Sequence, residues 1–280
     1  MIDLENITTG LEQKNDGIWY ASRKSSVSYP DDGHERAAQL EDESFWFRHR
    51  NDCIVALVNS YPPARGGPIF DIGGGNGFVA QGLTGAGYET VLVEPSAYGA
   101  RTGLERGLRG IVCSTLKDAR FEPSSLPAVG LFDVVEHIED DANFLRTIHG
   151  LLMERGRVYL TVPAYSWLWS DADVRAGHYR RHTIDSVERL LTSAGFEVEF
   201  STYFFRFLPL PIFLFRALPF RLGFAKNRIT DMNTVRRAHT GANGMKEDMV
   251  QRVLAPEIRR INESRPMYFG GSCLVAASKR

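Results

Sequence analysis

Residues 69–77 read IFDIGGGNG, and their order decides what the chain can be. Apolar residues run from Pro68 into Phe70, an acid follows at Asp71, and glycines stand at 73, 74, 75 and 77. A short apolar run closed by clustered glycine predicts a buried strand ending in a tight turn free of side chains. Glycine lets such a turn adopt positive φ and lets a ligand approach where a Cβ would block it. Phe78, Val79, Leu83 and Ala86 follow at helical spacing, so the unit is strand, glycine loop, helix. A loop in that place presents unpaired N–H groups to whatever lies above it. Residues 89–94, ETVLVE, predict a second buried strand ending in Glu94. A carboxylate about twenty residues past the loop can accept hydrogen bonds from both hydroxyls of a ribose. Loop, acid and spacing together predict an adenosine ligand.

The dinucleotide fingerprint G-x-G-x-x-G would put its third glycine at position 78, which is Phe78. The chain instead has G-x-G-x-G with Asp71 two residues ahead of it. In this it resembles the class I S-adenosylmethionine-dependent methyltransferases. Residues 133–141, DVVEHIEDD, are similar to the DVLEHVEDD stretch of the small-molecule members. Residues 162–173, VPAYSWLWSDAD, with 176–183, AGHYRRHT, resemble the VPAYxWLWSxxD…GHxRRYT pattern of a bacterial, type 11/12-like branch. The resemblance covers residues 40–220. It implies S-adenosyl-L-methionine as cofactor and methylation of oxygen or nitrogen on a small-molecule or lipid-linked acceptor. Carried over residue by residue, it implies that Asp71 and the loop residues Gly73, Gly74, Gly75 and Asn76 hold the methionine portion. Glu94, followed by Pro95, would meet the ribose. Ser114 and Thr115 would lie near adenine, where the family often carries an acid. Asp133 and His137 would lie beneath the sulfonium.

The 162–183 block falls just past the fifth predicted strand, where methyltransferases commonly build the acceptor pocket. His178, Arg180, Arg181 and His182 crowd one short loop beside Tyr165, Trp167 and Trp169. Basic groups among aromatics suit an anionic or sugar-like acceptor; the plainer reading is a solvated basic loop beside core tryptophans. His182 stands where the family most often has tyrosine. If the acceptor must lose a proton, an imidazole is the expected base, with His178 ahead of His137. The alternative for His137 is a ring that shapes its own loop. Residues 44–52, SFWFRHRND, predict a helix that is read in two ways. Its aromatics pack on the sheet while the arginines stay in water, or it is a lid whose arginine, Arg48, meets a carboxylate or phosphate.

Strands at 69–72, 89–94, 110–113, 128–133, 157–163, 196–204 and 270–280 alternate with helical stretches over most of the chain. This predicts an α/β, Rossmann-like, doubly wound seven-stranded sheet, mostly parallel. The resemblance implies that the last strand is antiparallel. The expected organisation is an N-terminal arm and lid helix (1–60), a cofactor-binding core (61–203), and an apolar cap or insertion with the closing strand (204–280) of the same domain. Residues 1–44 are polar without a sustained period. Tyr20, Ser22, Ser25 and Tyr29 there belong to a surface arm or to a loop that folds over a ligand. Residues 203–224, YFFRFLPLPIFLFRALPFRLGF, are interrupted by Arg206, Arg216, Arg221 and three prolines, short of the roughly 20 apolar residues a membrane span needs. They are read as a cap over the acceptor pocket, a dimer surface, or a peripheral contact with a bilayer or lipid-linked acceptor.

A net charge of −1 gives no support to a nucleic-acid partner. No H-E-x-x-H or paired C-x-x-C spacing points to a metal. Cys53, Cys113 and Cys273 are scattered and odd in number, as expected of small buried hydrophobes in a reducing compartment. MIDLENITTG has no basic start or apolar run, so the expected location is cytoplasmic, as a monomer or homodimer. Two other functions stay open on sequence. A NAD(P)-dependent oxidoreductase is opposed by Phe78 and by the lack of a Tyr-x-x-x-Lys pair after the fourth strand. A non-catalytic cofactor-binding regulator is compatible with an intact glycine loop.

Overall fold

The computed structural model describes residues 4–22, 40–42, 44–224 and 244–280. Nine strands form one sheet: β1 (Leu11–Gln13), β2 (Trp19–Ala21), β3 (Ile69–Ile72), β4 (Thr90–Val93), β5 (Gly110–Cys113), β6 (Leu126–Phe132), β7 (Leu152–Pro163), β8 (Phe196–Phe204) and β9 (Ser272–Lys279). Their spatial order is β1-β2-β5-β4-β3-β6-β7-β9-β8. From β3 the chain steps outward through β4 to β5, then crosses back to β6 and β7 on the other side. The reversal leaves a crevice between the β3 and β6 ends, where open α/β sheets bind ligands. β3 to β7 are parallel, and β9 inserts antiparallel between β7 and β8.

The seven expected strands are all present, and the mostly parallel sheet with an antiparallel closing strand is the observed architecture. The N-terminal arm adds the other two. β1 and β2 form a hairpin whose second strand pairs parallel with β5, Trp19 opposite Val112. Three-residue strands are too short to show a period of two, so the sequence pattern hides them. Tyr20 and Ser22 belong to this hairpin region, while Ser25, Tyr29 and the basic 226–237 stretch lie outside the described residues.

Helices cover both faces, which is why β3 and β4 are apolar runs buried at every position. On one face lie α1 (Phe45–Ser60), α2 (Phe78–Gly85) and, from the insertion, the long C-terminal helix Gly244–Asn262. Cys53, Ile54, Leu57 and Val58 of α1 are fully buried there with Leu83, Tyr159, Phe204 and Ile261. α3 (Ala97–Glu105) and the short α4 (Leu116–Ala119) flank β4 and β5. α5 (Asp141–Leu151) and α7 (Ile184–Ser193) pack Leu145, Ile148, Val187 and Leu191 on the opposite face. Between them comes the six-residue α6 (Asp171–Ala176). Thr183 and Asp140 cap α7 and α5 by accepting from Ser186 N–H and Asn143 N–H.

After β8 the chain turns at Phe205 (φ +59) into a helical segment, 209–221, whose middle, Phe213–Ala217, has π geometry. Pro219 removes the N–H that would have bonded the Phe215 carbonyl, which favours this local widening. No helix among the described residues is long and apolar enough to cross a membrane.

Glu257, on the C-terminal helix (α8 below), ties these pieces together. It accepts from the backbone N–H groups of Phe205 and Arg206, each at 2.8 Å, and lies 2.9 Å from His49 Nε2 on α1. Glu257, His49 and Phe205 are buried. Replacing Glu257 with Ala strands two amide donors and an imidazole, so it is expected to cost about 3–5 kcal/mol in urea unfolding. Loss of less than about 1 kcal/mol would mean the tie is not structural.

Candidate active site

A cleft of about 1010 Å³ opens at the C-terminal ends of β3, β4 and β6. One end is built by the glycine loop. Gly73, Gly75 and Gly77 take φ of +69°, +58° and +74°, which bends the chain from β3 into α2 without side chains in the way. Beneath the loop sits Asp71, 1% exposed. A Cβ on Gly74 would stand 2.5 Å from Asp71 Oδ2, so only glycine fits over this carboxyl. Among the described residues neither Asp71 oxygen has a partner in good hydrogen-bonding geometry, although Arg50 and then the Ala80 amide favour its charge. Burial dominates and raises its pKa to about 7.

Glu94, at the end of β4, is also buried. Its two oxygens accept from Gly75 N–H (2.9 Å) and Ser96 N–H (2.8 Å), which fastens the glycine loop to the neighbouring strand. Burial outweighs these bonds and raises its pKa to about 7. Pro95 lines the same wall. Asn76 is buried on the other side and donates to Glu41 Oε1 at 3.3 Å.

At the end of β6, Asp133 adopts the left-handed conformation (φ +58), a strained setting that Asp tolerates. Its Oδ1 accepts from Thr161 Oγ1 at 2.9 Å and its Oδ2 lies 2.8 Å from Arg50 Nε. Arg50 comes from the first turns of α1, and its guanidinium packs over the Trp46 ring, 5.6 Å away. Trp46 in turn stacks on Phe205 at 5.4 Å. Glu136 is 1% exposed, its Oε2 has no hydrogen-bond partner among the described residues, and burial first, then Asp133, push its pKa well up.

The far end of the cleft holds two imidazoles edge to face, His137 and His178, with centroids 4.8 Å apart. Burial, then His178, lowers the pKa of His137 to about 4. His178 Nδ1 lies 2.9 Å from Asp173 Oδ1. Asp173 also receives Arg181 through Nε (2.7 Å) and Nη2 (3.2 Å), and its Oδ2 accepts from Ser170 N–H, capping α6. Burial opposes its charge, yet the bonds from His178 and Arg181 bring its pKa down to about 2. Over this end lies the 209–221 segment, which gives Pro211, Ile212, Phe215 and Arg216 to the wall.

The cleft thus gathers Asp71, Gly73, Gly74, Gly75, Asn76, Glu94, Pro95, Asp133, His137, His178 and Arg181. Other candidates from the sequence stand elsewhere. Ser114 and Thr115 are not in its wall: Ser114 Oγ donates to Thr115 O, and Thr115 caps α4 by accepting from Asp118 N–H. Tyr165 is stacked between Trp167 and Tyr203 outside the cleft, at 5.5 and 5.0 Å. Trp169 is half-buried behind α6. Arg180 is paired with Asp141 and donates to Glu139 O. His182 is buried, its backbone bonded to Pro163 and Tyr165. Arg48 turns toward the Asp42 carbonyl, and Arg50, two residues on, is the arginine that meets a carboxylate. Sequence reasoning also passed over Asp173, Glu41 and Arg216. The WSDAD stretch carried the signal for Asp173, an acid three residues after a serine at a helix start.

A model of a methyltransferase domain matches residues 46–200, more than half of the chain. The chain belongs to the class I S-adenosylmethionine-dependent methyltransferases. Solved structures agree on the fold. Phosphoethanolamine N-methyltransferase 2 of Haemonchus contortus, in complex with S-adenosyl-L-methionine, superposes with TM-score 0.51 at 20% identity over 90% of this chain. This methyltransferase spans 58% of that longer protein. An S-adenosylmethionine-dependent methyltransferase of Thermotoga maritima gives 0.54 at 13% identity, covering 88% of this chain and 97% of that one. A geranyl diphosphate methyltransferase, with its substrate and sinefungin, gives 0.50 at 16% identity, covering 80% of this chain and 75% of that one. No curated protein matches the sequence.

A glycine-rich loop faces the methyltransferase's cleft, and two buried carboxyls, Asp71 and Glu94, flank that loop and could accept from a cationic or hydroxyl-bearing group. Asp71 gives a direct check. Between about pH 4 and 7 the folded chain keeps a proton there that the unfolded chain has released. Stability from this group is therefore full below about pH 4 and falls as the pH rises to 7. Asp71→Asn should melt with wild type near pH 4.5 and above it at pH 8, by about 1.4 kcal/mol per pKa unit removed. An equal difference at both pH values would show that the carboxyl titrates normally.

Proposed function

We propose that this methyltransferase modifies a small-molecule acceptor with an anionic or hydroxylated head and an apolar portion. The observation that carries the reading is the makeup of the cleft beyond the glycine loop. There Arg216 pairs with no carboxylate among the described residues, beside the apolar Leu208, Pro211, Ile212 and Phe215. A lone guanidinium in such a wall suits phosphate or carboxylate, and the apolar surface suits a hydrocarbon part.

In this reading Asp71 and the backbone of residues 73–76 hold the methionine portion. Glu94 accepts from the ribose hydroxyls, and Pro95 borders the purine. The end of β6, Asp133 to His137, lies toward the reacting carbon. Bound S-adenosylmethionine supplies a methyl group already activated by its sulfonium. The chain's task is then to align an acceptor atom behind that methyl and to exclude water. Arg50 fixes Asp133, and Trp46 with Phe205 backs Arg50, so this wall is rigid. His178 is the group set against the acceptor's reacting atom, because Asp173 holds its Nδ1 side and leaves Nε2 for the cleft.

Part of the 209–221 segment lines the cleft, while Leu210 and Leu214 within it and Phe207, Leu222 and Phe224 beside it are exposed. An acceptor drawn from a lipid surface would approach along it, and a free metabolite would enter beneath it. Supplying the acceptor in vesicles and in solution distinguishes the two.

Calorimetric titration with S-adenosylhomocysteine, and with NADH in parallel, tests the assignment. Micromolar binding of the first and none of the second is expected. Glu94→Ala should weaken that binding at least tenfold, about 1.4 kcal/mol or more. Unchanged affinity in this variant would remove Glu94 from the cofactor site. Arg216→Ala should leave S-adenosylhomocysteine binding intact while reducing turnover of any anionic acceptor.

A further inference from the structure

Glu136, His137 and His178 come from two separate loops, yet one donor atom of each lies within 4.8 Å of the others. Two imidazoles and a carboxylate on one side of a cleft form a donor set for a divalent transition metal, with positions left open for substrate. We propose that these three residues hold such an ion, of the zinc, cobalt or iron(II) class, at the acceptor end of the cleft.

Three features carry this. Glu136 is 1% exposed, a carboxylate oxygen of it lies within 4.8 Å of both imidazoles, and its Oε2 has no hydrogen-bond partner among the described residues. An unpartnered buried carboxylate oxygen is costly unless a cation completes it. His178 has its Nδ1 on Asp173, 2.9 Å away, which turns Nε2 outward. A carboxylate behind a ligating imidazole is the usual outer support of a metal histidine, since it fixes tautomer and ring orientation. Asp173 is itself fixed by both nitrogens of Arg181 and by Ser170. Finally, ligands at roughly 2.0–2.2 Å from one ion stand about 3–4 Å apart. The observed spacing of up to 4.8 Å is wider, so the side chains would draw together on the ion.

The other cluster of similar composition, His49, Cys53 and Glu257, has no such vacancy of role. Glu257 is already occupied by two amides and His49, and the group lies in the packed core. It serves as the internal control.

An ion at the first site would bind an acceptor oxygen or nitrogen directly and hold it in the path of the methyl. This consequence rests on the function proposed above; the ion site itself does not. His178 would then act as a ligand. Without an ion, its free Nε2 would be left to act as a base.

The test uses the full chain, stripped with chelator and titrated with Co²⁺ while visible absorption is recorded. Thermal melting confirms that each variant is folded. One equivalent of Co²⁺ should give ligand-field bands that Zn²⁺ abolishes. Glu136→Gln, nearly the same size, and His178→Ala should each weaken binding at least tenfold, and Cys53→Ala should leave it unchanged. No saturable binding, binding indifferent to Glu136→Gln, or binding lost in Cys53→Ala would each overturn the proposal. S-adenosylhomocysteine titrated into the same stripped protein reports the cofactor reading separately.

Discussion

Arg50 is the positive charge on which the site depends. Four acids, Asp71, Glu94, Asp133 and Glu136, line the cleft at the mouth of the sheet. Arg50 pairs with Asp133 and also acts on Asp71 and Glu136. Arg181 is spent on Asp173, and Arg106 is spent on Glu41 and Asp42. One guanidinium cannot offset so many buried carboxyls, and burial pushes Asp71, Glu94 and Glu136 toward their protonated forms. This mouth of the sheet, short of positive charge, is matched to cationic ligands, whereas Arg216 belongs to the wall made by the 209–221 segment. The methyl donor is one, and the divalent ion proposed at Glu136 would be another.

This constraint explains why α1 is both core and wall. Its later turns bury Cys53, Ile54, Leu57 and Val58 against the sheet, which fixes the helix axis. The first turns are therefore rigid where they meet the cleft, and Arg50 needs no further anchor than Trp46 and Asp133. Glu257 extends the same logic, because it locks α1 to α8 and to the Phe205 turn that begins the 209–221 wall. Cofactor cradle and acceptor wall are thus parts of one packed body.

The sheet was legible because its parallel strands are buried on both faces, so they read as apolar runs of the right length. The meeting of the glycine loop with Glu94 was legible because both stand at the ends of adjacent strands close in sequence. The acceptor end was less so. Tyr165, Trp167 and Trp169 look like pocket residues, but none lines the cleft, and the rings of Tyr165 and Trp167 find partners in each other, Tyr203 and Phe213. Arg180 and Arg181 are neighbours, yet only Arg181 faces the cleft, because α6 delivers Asp173 to it. Arg48 and Arg50 differ by two residues, about 200° around a helix, so helical phase alone decides which one turns inward. Such choices depend on contacts far apart in sequence. Thr115 was different: its place three residues before Asp118 marks a helix cap and could have been read as one.

Hydrogen–deuterium exchange of the full chain with and without S-adenosylhomocysteine tests most directly whether the cradle lies where the buried acids put it. Protection concentrated in residues 72–79, 94–99 and 133–138, with the β1–β2 hairpin and α7 unchanged, is the predicted result. Protection confined to other segments, or none at saturating ligand, would contradict the account.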